Sequence, residues 1–402
     1  MSTARSEAPF PDGRSIHLPR QVAVLGMVSF FTAMSSAMVY GLLPVFLVRV
    51  LGATMSTVGF IEGAAEGIMS LARIGSGLAS DWMGRRKPLV LLGYAVSALN
   101  KLLFPLADTI SIVLAARTID RVGKGLRDAP RDAFMTDVTP SSIRGSGFGL
   151  RLTFYTAGYV IGPLTAMGLM ALSGDDFRFV FWMAVIPAVM AIAVLFFGVK
   201  ETPLPNVRPR PFRLRRSDLA QFPAAFWWAI AIAGLLSLAR FSPAFLVMKA
   251  HSVGVDAAFV PIMLIVMHLI YALAAYPFGI LADRVDRRFQ LMAGAAVLIA
   301  ADLVLANATG LPMAVIGAGI WGLQMAVTQG LLAASVADAA PPTLRGTAFG
   351  LYDLSNGAFT FLASSVAGAL WMAGGADWAF VFSAAMALLG ILLLLVHAAR
   401  KG

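Results

Sequence analysis

Long apolar blocks separated by short polar or basic stretches run the length of the chain. Twelve can be drawn, at about 22–48, 56–79, 88–107, 110–133, 146–172, 179–199, 222–247, 257–281, 289–306, 312–333, 347–373 and 378–398. Most come close to the ~20 residues that carry a helix across a bilayer. Ala, Leu, Gly and Met come in continuous blocks, without the ten-residue alternation of a barrel strand. A backbone in lipid must satisfy its own hydrogen bonds, so the pattern predicts an all-α integral membrane protein with twelve transmembrane helices.

The basic residues give the pattern an orientation. Arg14, Arg20, Arg85, Arg86, Lys87, Arg144, the six bases from Lys200 to Arg216, Arg284, Arg287, Arg288, Arg345, Arg400 and Lys401 all fall on one side of the twelve crossings. The other side offers little beyond Arg49, Arg178 and Lys249. The positive-inside rule then puts both termini in the cytoplasm. The first twenty residues are polar and no small-residue cleavage site follows the first block, so that block is expected to stay as an uncleaved helix.

The segment 200–218, KETPLPNVRPRPFRLRRSD, holds four prolines and a basic excess, and reads as a cytoplasmic linker. It divides the chain into a tail (1–20), a bundle (21–199), the linker, a second bundle (219–398) and a short C-terminal tail (399–402). The two bundles repeat each other. GLASDWMGRR at Gly77 returns as GILADRVDRR at Gly279, DVTPSSIRGSGFGLR at Asp137 as DAAPPTLRGTAFGLY at Asp338, and PVFLV at Pro44 as PAFLV at Pro243. Parallel repeats enclosing a midplane site are the signature of one class of secondary transporter.

One block breaks the apolar rule. RTIDRVGKGLRDAPRD, 117–132, carries eight charged residues in sixteen. At 100° per residue Arg117, Asp120, Arg121, Lys124, Arg127, Asp128, Arg131 and Asp132 share an arc of about 140°. That face must meet water, protein or substrate. It is either a cavity lining, for which Arg117, Asp120 and Arg121 sit deepest, or a ladder of Asp120–Lys124, Lys124–Asp128 and Asp128–Arg131 pairs. GKG is no phosphate loop, because Leu126 stands where Ser or Thr is needed. Glu62, Glu66 and Arg73 form a second polar stripe, in the second block, 56–79. Buried acids cost ~2.5–3.5 kcal/mol in a lipid-facing helix, so they are expected to face the bundle interior. Asp120, Glu62 and Glu66 are the candidate proton carriers, tuned by Arg117 and Arg121. Arg240, Gln324, Thr328 and Asp353 are further candidates for a cavity. His268 aligns with Glu66 in the repeat, and Asp302 with Asn100, where packing is expected.

The totals fit this picture. The chain is 59% hydrophobic and 13% charged, against ~45–50% apolar and ~25% charged in soluble domains. The net charge of +10 is spread in short clusters between blocks, which argues for topology and lipid contact and against a nucleic-acid partner. There is no cysteine, and the four histidines are dispersed, with no metal-ligand spacing or catalytic cluster. No enzyme, cofactor or metal is expected.

Gly77-x-x-x-Asp81-x-x-Gly84-Arg85-Arg86, with its second copy Gly279-x-x-x-Asp283-Arg284 and Arg287, resembles the loop motif of the major facilitator superfamily. The resemblance implies two pseudo-symmetric six-helix bundles that rock about a central cavity, with Asp81 latching near Gly346. Gly149, Gly158, Gly162 and Pro163 resemble the antiporter motif of proton-driven exporters, though Ala166 and Met167 replace its last glycines. Arg121-x-x-x-Gly125 resembles the family's proton-coupling motif. The expectation is a monomeric proton-coupled antiporter in the plasma (inner) membrane, exporting a small polar or anionic organic molecule. A proton-coupled importer of an organic anion, or a multidrug exporter, is the alternative.

Overall fold

The structure, a computed structural model, describes residues 19–83, 85–140, 143–199, 219–282, 285–340 and 345–399. Gly84, Asp283, Arg284, the side chain of Asp81, the 200–218 linker and both tails fall outside the described residues, and with them the Asp81 latch.

Every regular element among the described residues is helical. In chain order they are α1 (Arg20–Tyr40), α2 (Leu43–Arg49), α3 (Met55–Met83), α4 (Lys87–Asn100) with a short 3-10 turn (Lys101–Leu103), α5 (Ile110–Val138), α6 (Arg144–Ser173), α7 (Phe177–Met183) and α8 (Val185–Gly198). After the linker come α9 (Ala224–Leu238), α10 (Ala244–Ser252), α11 (Ile262–Ala282), α12 (Arg287–Ala306), α13 (Leu311–Ala339), α14 (Arg345–Gly374) and α15 (Ala376–Ala399). Caps mark several starts: Thr109 and Asp176 accept from Ile112 N and Phe179 N at 3.4 and 3.1 Å.

Among the described residues, eight segments are long and apolar enough to cross a membrane. The other expected crossings have physical reasons to fall short of that standard. Ionisable residues interrupt α3 and α5, α4 is only fourteen residues long, and the seventh block is broken at 239–243. The first and seventh blocks both break just before their repeated Pro-x-Phe-Leu-Val, so the repeat reaches into backbone shape. Polarity is inverted relative to a soluble protein. Leu172, Phe197 and Tyr276 are 85, 83 and 77% exposed, whereas Arg117, Asp120 and Lys101 are each 2% exposed. Apolar side chains therefore cover the outside, as lipid contact requires.

Helices α1–α8 pack largely among themselves, as do α9–α15. The two groups meet where α3 lies on α14, α6 on α11, and α2 on α10. Glycine makes the closest of these contacts possible: a Cβ added to Gly63 would stand 2.7 Å from the Phe361 carbonyl oxygen. Within the first group, Gly125 seats α5 on α3 in the same way, 2.8 Å from Met69 O. Gly158 and Gly162 seat α6 on α1, each 2.5 Å from a carbonyl oxygen, while Gly149 meets nothing within 4 Å. Gly158 and Gly162 of the antiporter-like series thus pack inside one group, and Pro163 lies within α6.

Candidate functional site

A cavity of about 310 Å³ opens where the two groups of helices meet. Glu62 and Glu66 of α3, Arg117, Arg121 and Lys124 of α5, Tyr40 and Tyr159 line it from one group. Arg240, Ser242, His268, Trp321 and Asn356 line it from the other.

Two ion pairs dominate its wall. Arg117 donates through Nε and Nη2 to both oxygens of Glu62, at 2.8 and 2.5 Å. Arg121 Nη2 stands 2.7 Å from Glu66 Oε1. The first pair is sealed, with side chains 3 and 5% exposed; the second opens to the cavity through Glu66, at 25%. Fork-on-carboxylate geometry of this kind is among the stronger charge-assisted contacts. Ser242, buried at the break between α9 and α10, donates to Glu62 Oε2 at 3.0 Å and so ties the second group to the first. Among the described residues the side chains of Lys124 and Arg240 make no ion pair or hydrogen bond. Four cations and two carboxylates line the cavity, leaving a charge excess of two.

Behind this wall runs a second network. Tyr40 donates to Asp120, whose other oxygen is 3.3 Å from Lys101 Nζ. The guanidinium of Arg117 lies 3.8 Å above the Tyr40 ring and Lys101 Nζ 4.8 Å from its centre. Asp120 is therefore not a cavity residue. The helical wheel explains the correction: the arc of about 140° divides between two neighbours. Arg117, Arg121 and Lys124 occupy its middle, facing α3 and the cavity, while Asp120, Arg127 and Arg131 fall at one edge, towards α4. Arg127 accordingly donates to Ser97 Oγ at 2.6 Å and stacks on Tyr94, outside the central cavity.

Other candidates are also relocated. Gln324 Nε2 donates to Thr328 Oγ1 at 3.0 Å, and Thr328 packs on Gly294 of α12, so the pair faces a neighbouring helix and not the cavity. Asp353 meets Arg73 at 3.5 Å across the α3–α14 contact, away from the central cavity. The ladder exists only in part: Asp128 takes Arg131 at 2.9 Å and Arg127 at 3.8 Å, and Asp132 takes Arg131 at 3.0 Å. Lys124 joins neither Asp120 nor Asp128. His268 stacks on Tyr159 at 4.5 Å, and its Nδ1 is 2.8 Å from Leu264 O. Asp302 accepts from Ser383 of α15, and Asn100 donates to Ala116 O at 2.7 Å, both in helix contacts. Of the loop motif, Arg86 bonds Asp137 at 2.6 Å and Gly77 lies against Ala129, while a Cβ added to Gly279 meets nothing within 4 Å among the described residues; Arg287 opens α12. Sequence reasoning missed Tyr40, Lys101, Ser242 and Asn356. Lys101, a lysine inside an apolar block, carried the signal that could have found it.

Comparison with known proteins agrees with this architecture. The Major Facilitator Superfamily model matches residues 25–267 and again 226–402. An MFS-type transporter of Methanocaldococcus jannaschii is 30% identical over 384 residues, covering 94% of this chain and 95% of that protein. The inner membrane transport protein YajR of Escherichia coli is 28% identical, covering 86% of this chain and 79% of its own. A variant of the nucleoside transporter NupG shares the fold, with a TM-score of 0.77 at 14% identity, covering 94% of this chain and 99% of that one. A multi-pass helical chain with an internal repeat and a charged cavity between its halves, it belongs to the major facilitator superfamily and is a transporter.

Proposed function

We propose that the chain is a proton-coupled transporter of a small organic anion, moving it and protons in the same direction. The observation that carries this is the cavity wall: each carboxylate occupies an arginine that an anion would want, and two further cations are left over. The sign of coupling follows from electrostatics. Protonating Glu66 removes its charge and frees Arg121 for the cargo, so proton and anion favour each other's binding, and by linkage they travel together. Glu66, one quarter exposed, is the carboxylate a proton reaches first. Glu62 is the reporter across the interface, because losing its charge also weakens its bonds to Arg117 and Ser242.

Antiport export is the second reading. The glycine and proline series of α6 favours it, and it requires a polar cargo that engages the Glu66 carboxylate directly. In both readings the protein makes twelve crossings of the inner membrane, both termini and the 200–218 linker cytoplasmic, the two six-helix bundles rocking as a monomer. Proteoliposomes offered a panel of labelled organic anions, with the outside made acidic, separate the readings. Symport predicts accumulation of the anion; antiport predicts that its exit is accelerated. Flux that ignores the pH gradient rejects both.

A further inference from the structure

A second cavity, about 390 Å³, lies between the central one and the basic end of the bundle. All of its lining comes from α1, α3, α4, α5 and α6. Five of its residues are cations, Arg73, Lys124, Arg127, Arg131 and Arg151, and one, Asp128, is an acid. Asp132 and Asp353 pair with members of this set from outside the lining. Even when both are counted with Asp128, two positive charges remain unmatched. Four of the five are arginines, which do not shed their protons, so against three acids an excess remains whatever the state of Lys124. Arg127 and Arg131 are only 5 and 7% exposed. The buried Nε atoms of Arg127 and Arg151 have no hydrogen-bond partner. Desolvated cations in such surplus call for a counter-charge from elsewhere.

We infer that this cavity is a second anion site, taking a phosphate or carboxylate group between Arg151, Arg127 and Lys124. Lys124 lines both cavities and is committed to no acid among the described residues, so its flexible stem can hold the anion in either place. The site is a way-station between the central cavity and the basic end. Because one group of helices supplies the whole lining, rocking against the other group leaves it intact. The identification of its occupant as cargo rests on the anionic-cargo reading above; the site itself does not.

Inorganic phosphate is the probe. Binding to the purified full chain in neutral detergent is measured by calorimetry, with chloride at equal ionic strength as reference. Saturable binding is expected in the unmodified protein, at least tenfold weaker in Arg151→Gln and in Lys124→Gln, and unchanged in Arg240→Gln, which alters only the central cavity. Monodispersity and the melting midpoint without phosphate establish that each variant is folded. No saturable binding beyond chloride overturns the inference. So does the reverse pattern, loss in Arg240→Gln with retention in Arg151→Gln. Repetition in nanodiscs with and without phosphatidylglycerol identifies the source of the anion. Loss of phosphate binding only with the anionic lipid assigns the site to a headgroup; retention in both assigns it to a free anion. Intact phosphate binding without pH-driven transport would reject the proposed function and leave the site standing.

Discussion

Glu62→Ala is the perturbation whose cost can be reasoned most directly from the coordinates. The substitution strands Arg117, whose side chain is 3% exposed and whose Nε and Nη2 both donate to the lost carboxylate. Breaking a buried pair by removing one partner costs ~3–5 kcal/mol, because the remaining charge is left without compensation. The lower end applies here, since Arg117 keeps the Tyr40 ring at 3.8 Å and borders a cavity that admits water. About 3 kcal/mol is over a hundredfold in the folding equilibrium. Removing both charges, as Glu62→Ala with Arg117→Met, takes away the stranded charge as well and should return most of that loss, since paired replacement by apolar groups is often neutral. Reversible unfolding in mixed micelles measures all of these variants on one scale. The reasoning is refuted if Glu62→Ala unfolds within ~0.5 kcal/mol of the unmodified protein, the usual scatter of surface substitutions. A double variant less stable than both single variants refutes it equally.

Three further outcomes follow from the same geometry. Arg121→Lys should lower anion affinity at least tenfold in competition binding, because a point charge cannot hold Glu66 and a cargo oxygen as a planar fork does; unchanged affinity would show that Arg121 does not meet cargo. Gly125→Val should cost ~1–3 kcal/mol in the same micelle assay, since a Cβ there would stand 2.8 Å from Met69 O and force α5 off α3; a neutral result would mean the helices are free to part. Ser217→Cys, in a chain without other cysteines, should react with impermeant maleimide only from the cytoplasmic side; labelling from outside would reverse the topology.

The helices and the repeat were legible in the sequence because both are properties of spacing. Blocks of apolar residues needed only counting, whereas the breaks before Pro44 and Pro243 fall inside blocks, 22–48 and 222–247, that the pattern drew as unbroken. The charged face of α5 was legible as a face but not as two halves of one. Spacing placed Asp120 beside Arg121; only the position of α4, with Lys101 at its end, shows that these neighbours look at different partners. Gln324 and Thr328 misled for the converse reason. They lie four residues apart and satisfy each other, and a helix with neighbours on several sides gives a polar pair no reason to choose the cavity. Ser242 could not be found by periodicity, since its contact with Glu62 depends on the break in backbone at 239–243. Residues acting across the interface between the groups are the least visible from a linear pattern, because nothing local fixes which of them meet.

Proton movement in Glu66→Gln proteoliposomes tests the central claim most directly. Glutamine resembles the protonated acid, so Arg121 stays available to the anion while the carrier of the proton is gone. The account predicts that an imposed pH gradient no longer drives anion accumulation, that anion-for-anion exchange at equal pH continues at a rate within a few-fold of normal, and that a lumenal pH dye records no proton entry with the anion. Accumulation driven by the pH gradient at the normal rate, with protons still entering alongside the anion, would contradict it.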